Sequence, residues 1–186
     1  MKLKLTLILS LIVLSVNIFA QKTAATKKGQ LFGVHFVLVD YNSTGGVKHP
    51  GSGKGYTAVR DMSKGIGFSY WKGLTSTIDF SAKLQGFLHD YNNELDNKTG
   101  VGAEFEPTIN IRPMGDNAKL APFLTAGAGV GYYGGDFGAY IPAGLGLQLN
   151  FSSSTYFLLQ AQYRFTLTKK VVGDNLFYSV GIAQNF

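Results

Sequence analysis

The sequence predicts an all-β protein, an eight-stranded antiparallel up-and-down transmembrane β-barrel. Three observations predict it. Eight segments alternate apolar and polar side chains with the period of two that a strand imposes. Their polar faces carry charges, and their apolar faces carry hardly any. The chain also opens with the pattern of an export signal.

That signal comes first. Lys2 and Lys4 precede a largely apolar run over 5–16, and Ala20 stands before the polar Gln21. A positive start, a short apolar core and a small residue at the cut describe a secretory signal peptide over 1–20. The run is too short for a spanning helix, which needs roughly 20 apolar residues. Residues 21–30, with Lys22, Lys27 and Lys28, read as a flexible periplasmic leader, and 31–186 as the barrel.

Composition excludes several classes. The sequence has no cysteine, which rules out a disulfide framework, a thiolate metal site, a cysteine nucleophile and a lipoprotein anchor. Without Lys2 and Lys4, the 17 basic groups fall to 15 against 11 acidic ones, a net charge of +4. No dense basic run marks a nucleic-acid site. Glycine (24), Phe (14) and Tyr (10) are abundant, as in barrels and sandwiches.

The first strand covers 31–39, with Phe32, Val34, Phe36 and Leu38 on one face. The glycine-rich stretch 41–63 is a loop. Strand two, over 64–71, sets Ile66, Phe68 and Tyr70 against Gly65, Gly67, Ser69 and Trp71. Strand three, over 77–88, sets Ile78, Phe80, Ala82, Leu84 and Leu88 against Thr77, Asp79, Ser81, Lys83 and Gln85. Residues 89–100 are polar and read as a loop. Strand four, over 101–112, is the cleanest. Val101, Ala103, Phe105, Pro107, Ile109 and Ile111 share one face, and Glu104, Glu106 and Arg112 lie on the other.

Strand five runs over 120–132, strand six over 139–151 and strand seven over 157–167, where Arg164 lies on the polar face. The last strand reaches the terminus with Tyr178, Val180, Ile182 and Phe186 in phase. Connections alternate long and short, as in outer-membrane barrels, and Tyr70, Tyr132 and Phe151 near strand ends suggest an aromatic girdle. A soluble barrel would be inverted, with apolar residues inside. Both chain ends then lie in the periplasm.

These features resemble the small eight-stranded OmpA/OmpX-like outer-membrane β-barrels of Gram-negative bacteria, a porin-like β-barrel domain. Residues 121–132, APFLTAGAGVGY, are similar to a P-x-x-x-A-G-x-G-x-G-Y strand of such proteins. The stretch 178–186, YSVGIAQNF, resembles their C-terminal assembly signal, carried here by Tyr178, Val180, Ile182 and Phe186. The resemblance implies residence in the cell outer membrane. It implies outer-membrane lipid, lipopolysaccharide and the barrel-assembly machinery as partners, an extracellular ligand at loop 41–63, and a monomer without nucleic acid or cofactor. The expected role is non-enzymatic: envelope stability, or surface adhesion through the loops. The alternatives are a narrow ion or small-solute pore, or a lipid A-modifying enzyme.

Motifs for other chemistry fail on context. Gly129, Gly131 and Gly134 match G-x-G-x-x-G, but inside a strand with no helix after it to hold phosphates. The 51–55 loop lacks the spacing of a phosphate loop. Asp90, Asn92, Glu94 and Asp96 read as a solvated acidic loop, since Leu95 and Val101 occupy the positions where a calcium loop needs Gly and Glu. His35, His49 and His89 are scattered. Ser69, Ser81 and Ser179 lie on strands without an adjacent base in sequence. No catalytic, cofactor or metal residue is assigned.

The inward charges Asp79, Lys83, Glu104, Glu106, Arg112 and Arg164 remain. An eight-stranded lumen is just wide enough for side chains to fill it, and unpaired buried charge is costly. They are expected to form an ion-pair network that plugs the lumen. The inward Gly127, Gly129, Gly131, Gly144 and Gly146 are expected to make room for Arg164, Trp71 or Tyr140. Pro107, Pro122 and Pro142 fall inside strand patterns, so a bulge or break is expected, at Pro107 above all.

Overall fold

In a computed structural model, every alternating segment becomes a stave of one closed sheet. It describes residues 27–41, 43–44, 57–93, 96–116, 118–169 and 171–186, and of 89–93 and 96–99 the backbone alone. The expected signal peptide, most of the leader and the centre of loop 41–63 lie outside these residues.

The strands are β1 (Gln30–Asp40), β2 (Ser63–Gly73), β3 (Ile78–Asn93), β4 (Asp96–Ile111), β5 (Leu120–Gly127), β6 (Gly129–Tyr133), β7 (Asp136–Asn150), β8 (Thr155–Thr166) and β9 (Asn175–Asn185). β5 and β6 are two halves of one stave, so the barrel has eight. Each stave pairs antiparallel with the next. β9 closes the ring against β1, from Leu31 opposite Asn185 to Asp40 opposite Leu176. Closure leaves no open sheet edge in the spanning wall, which hydrocarbon requires because no water is there to satisfy one.

Burial alternates residue by residue in the sense expected for lipid. Val34, Phe68, Leu84, Phe105, Leu124, Leu145 and Ile182 stand exposed on the outer wall. Lys83, Glu104, Glu106, Arg112 and Arg164 are buried inside. An exposed apolar belt around the whole wall would drive aggregation in water and suits hydrocarbon.

Two boundaries differ from the sequence reading. Residues 89–93 and 96–100 are strand and not loop: β3 and β4 stay paired up to Asn93 opposite Asp96, beyond the end of their neighbours β2 and β6. Asp90, Asn92 and Asp96 of the polar stretch therefore lie on paired strand backbone. β7 begins at Asp136 rather than at 139, joined to β6 by a turn at Gly134 and Gly135, whose φ values of 58° and 120° favour glycine.

The expected irregularity at Pro107 is a break without a bulge, and it falls on the neighbouring stave. Thr108 faces Gly127 and Phe105 faces Val130, so the register is unchanged and Pro107 stands opposite Ala128. Ala128 donates to the Pro107 carbonyl at 3.2 Å. Proline has no N–H to return that bond to the Ala128 carbonyl. The other flank repeats the problem. Ala126 faces Ala143 and Gly129 faces Tyr140, which places Pro142 opposite Gly127. Asn150 donates to the Lys119 carbonyl, so even-numbered residues of β7 turn their amides towards this stave. Pro142 therefore withholds a donor from the Gly127 carbonyl. Two prolines starve adjacent carbonyls from opposite sides, and β5 and β6 separate there. Pro122 costs no ladder bond, because its missing amide would face β4 beyond Ile111, where that pairing has ended.

Replacing Pro107 and Pro142 together by alanine is expected to restore both donors. The new amides at 107 and 142 should exchange slowly with solvent, and stability should rise by about 1 kcal/mol per bond. Exchange as fast as that of loop amides would contradict this account of the break.

Candidate functional site: the filled lumen

Strand alternation sends every second side chain inward, and cross-strand register decides which of them meet. Glu104 and Glu106 are two apart on β4 and share its inner face. Lys83 sits directly opposite Glu106, and Gln85 opposite Glu104. Arg164 reaches them from β8. Its Nη1 donates to Glu104 Oε2 at 2.8 Å and its Nη2 to Glu106 Oε2 at 2.6 Å. Lys83 pairs with Glu106 Oε1 at 3.1 Å and also donates to Gln160 Oε1.

Neutral donors complete the shell. Gln85 and the Tyr133 hydroxyl bond Glu104, and Gln162 bonds Glu106. The Tyr140 hydroxyl lies 3.2 Å from an oxygen of each acid. The Arg164 guanidinium lies 3.8 Å from the Phe177 ring centre and 4.7 Å from that of Tyr140. The four charged residues are at most 2% exposed. Two cations and two anions make this quartet neutral, as burial in low dielectric demands.

A second cluster closes the mouth nearest the termini. Arg112 bonds Asp79 at 3.2 Å and Asp116 at 2.8 Å. Lys28 pairs with Asp79 at 2.9 Å and donates to Gln148 Oε1. Gln148 Nε2 and the Tyr156 hydroxyl donate to Asp116. Burial pushes the Lys28 ammonium below the ordinary lysine range, against the pull of Asp79. This cluster is also neutral.

The six charges picked from the sequence thus divide into two groups. Lys83, Glu104, Glu106 and Arg164 meet in one, and Asp79 and Arg112 in the other. Lys28 and Asp116 complete the second group and were missed. Lys28 lies in a polar stretch that reads as leader, and Asp116 in a glycine-containing turn; neither carries a periodic signal. Apolar side chains fill the remaining layers. Leu31, Trp71, Phe123 and Leu158 lie near the terminal mouth, and Val37, Phe87, Tyr133 and Phe177 towards the other.

The inward glycines accept aromatic rings. A Cβ at Gly129 would lie 2.2 Å from the Tyr140 ring, at Gly131 2.6 Å from Tyr133, and at Gly146 2.2 Å from Phe123. Of the three expected occupants only Tyr140 takes such a place. Gly127 and Gly144 instead face the backbone oxygens of Pro107 and Ala161.

One pair corrects the sequence reading. Ser69 does have a base beside it: His35 Nε2 lies 2.6 Å from Ser69 Oγ. Trp71 Nε1 donates to the same oxygen at 3.0 Å. Indole only donates, so the simplest arrangement has Ser69 accept from Trp71 and donate to His35. That is the contact of a nucleophile with its base. Both groups are buried on the lumen side, and His35 Nδ1 has no hydrogen-bond partner among the described residues. His49 and the side chain of His89 lie outside the described residues. On the outer wall, Tyr178, Val180, Ile182 and Phe186 form the lipid-facing row of the last strand, and Phe186 meets the Phe32 ring edge-on at 5.4 Å.

Solved structures share this architecture. Ail, the attachment invasion locus protein of Yersinia pestis, aligns with TM-score 0.55 at 14% identity, over 86% of this chain and 99% of Ail. OprG of Pseudomonas aeruginosa aligns with TM-score 0.58 at 15% identity, over 86% and 97%. The N-terminal β-barrel domain of OprF from the same organism aligns with TM-score 0.56 at 13% identity, over 87% and 100%. No protein-family model matches the chain, and no curated protein matches it.

The fold is that of the small eight-stranded outer-membrane barrels. Its exposed apolar belt and charged interior are those of a barrel that spans a membrane.

Proposed function

We propose that the protein is a closed, non-enzymatic scaffold of the outer membrane, serving envelope stability or surface adhesion through its outward connections. One observation carries this reading. The Lys83–Glu104–Glu106–Arg164 quartet bridges the lumen from β3 and β4 to β8, with no side chain of it more than 2% exposed. Moving an ion through that layer would require breaking buried, hydrogen-bonded ion pairs, which is costly. A rigid filled barrel is well suited to holding loops in place.

The adhesion half of the reading draws on the likeness to Ail, an attachment invasion protein by name. Its partners would be outer-membrane lipid and lipopolysaccharide around the belt, the assembly machinery at the Tyr178–Phe186 face, and an extracellular ligand at loop 41–63. The protein would act as a monomer. The non-enzymatic half is supported by Ser69, whose hydroxyl faces the filled lumen beside a histidine whose second nitrogen meets no carboxylate among the described residues.

Reconstituted in a planar bilayer, the full chain is expected to leave conductance at baseline. Discrete, reproducible conductance steps from the wild-type protein would overturn closure and favour the narrow pore.

A further inference from the structure

The mouth nearest the termini contains a site whose occupant is a side chain from outside the strands. Lys28 precedes β1, and its segment is tied to the wall by the Gly73 amide, which donates to the Lys28 carbonyl at 3.3 Å. Its ammonium nevertheless lies among buried groups of four staves. Asp79 of β3 offers a carboxylate oxygen at 2.9 Å, and Gln148 of β7 offers its amide oxygen. Trp71 of β2 presents its ring face at 5.1 Å and Tyr156 of β8 at 6.0 Å. All four residues are at most 4% exposed.

An acid, an amide carbonyl and two aromatic faces are the groups that recognise an ammonium. None of them belongs to the segment that delivers it. Charge makes the same point. Among the described residues, Arg112 is the one cation paired with Asp79 and Asp116 when Lys28 is left out, so the cluster is then one positive charge short. Gly73 lets the segment approach, since a Cβ there would lie 2.6 Å from the Lys28 carbonyl oxygen.

We propose that this mouth is a binding site for a primary alkylammonium group, filled in the folded chain by its own Lys28. The site recognises the ammonium and not the backbone that carries it. With the lysine truncated, a free alkylammonium takes its place. The segment ahead of β1 is then locked to the barrel by a ligand-like contact.

The test uses the full mature chain in detergent, followed by the temperature at which its heat-modifiable gel mobility is lost. Lys28→Ala is expected to lower that midpoint by about 5 °C or more. n-Propylammonium chloride should restore it saturably, while leaving the wild type unmoved. Sodium chloride and tetramethylammonium chloride at equal ionic strength should not. An unchanged midpoint in the variant, or equal rescue by sodium, overturns the proposal.

A second route covers a variant that fails to fold. The chain has no cysteine, so Lys28→Cys gives a unique thiol. Alkylated in urea with 2-bromoethylamine, the thiolate displaces bromide and the side chain becomes a thioether analogue of lysine. That adduct should refold with the wild-type midpoint, and the iodoacetate adduct, which carries a carboxylate, should not. Equal behaviour of the two adducts refutes ammonium recognition.

Discussion

Arg164→Met is expected to destabilise the barrel by about 3–5 kcal/mol, among the largest effects of any single substitution. The guanidinium is fully buried and donates one nitrogen to each of two buried acids, at 2.8 and 2.6 Å. Methionine fills much of its volume, so the loss is electrostatic rather than a cavity. Glu104 and Glu106 would keep one cation, Lys83, whose ion pair is with Glu106 and not with Glu104. A buried carboxylate without its partner costs far more than the intact pair contributes. The control is a quadruple variant with Arg164→Met, Lys83→Met, Glu104→Gln and Glu106→Gln. It removes all four charges together and should cost less than Arg164→Met alone. Urea unfolding in lipid vesicles measures both. A loss under about 1 kcal/mol for Arg164→Met would refute the quartet as a buried, mutually dependent unit.

Gly129→Val is expected to cost about 2–3 kcal/mol, through a residue with no side chain of its own. A Cβ there would sit 2.2 Å from Tyr140 Cζ and 2.3 Å from its Cε2. The ring has little freedom to retreat. Its other side faces the Arg164 guanidinium at 4.7 Å, and its hydroxyl bonds both acids of the quartet. Displacing it strains packing and removes donors from Glu104 and Glu106 in one step. Pairing the change with Tyr140→Ala separates the two effects. With the ring gone, valine occupies vacated space, so the double variant should be more stable than the sum of the single losses. Additive losses would show that Gly129 and Tyr140 act independently.

Much of the architecture was legible because it follows from period-two alternation. The inward placement of Glu104, Glu106 and Arg164 needed no knowledge of which strands pair. What the sequence withheld is register and the reach of long side chains. His35 and Ser69 are separated by 34 positions and meet because Gly33 faces Ser69 across β1 and β2, which places His35 on the diagonal. The division of six charges into two neutral groups likewise depends on height along the barrel. Lys28 was hidden because a lysine in a polar leader gives no sign that its stem can fold back into a mouth. The stretch 89–100 reads as a loop from its polarity, yet backbone pairing carries β3 and β4 through it to Asn93 opposite Asp96. Pro107 did announce a defect, but its position needed Pro142 as well, and only the register brings both to Gly127 and Ala128.

A closed cylinder of eight staves has no front or back as seen by the lipid around it. The bare carbonyls of Gly127 and Ala128 give this one a polar azimuth. Each is a backbone dipole set midway along its stave without a partner, where hydrocarbon offers no substitute. Rotation of the barrel about its own axis is therefore not energetically idle.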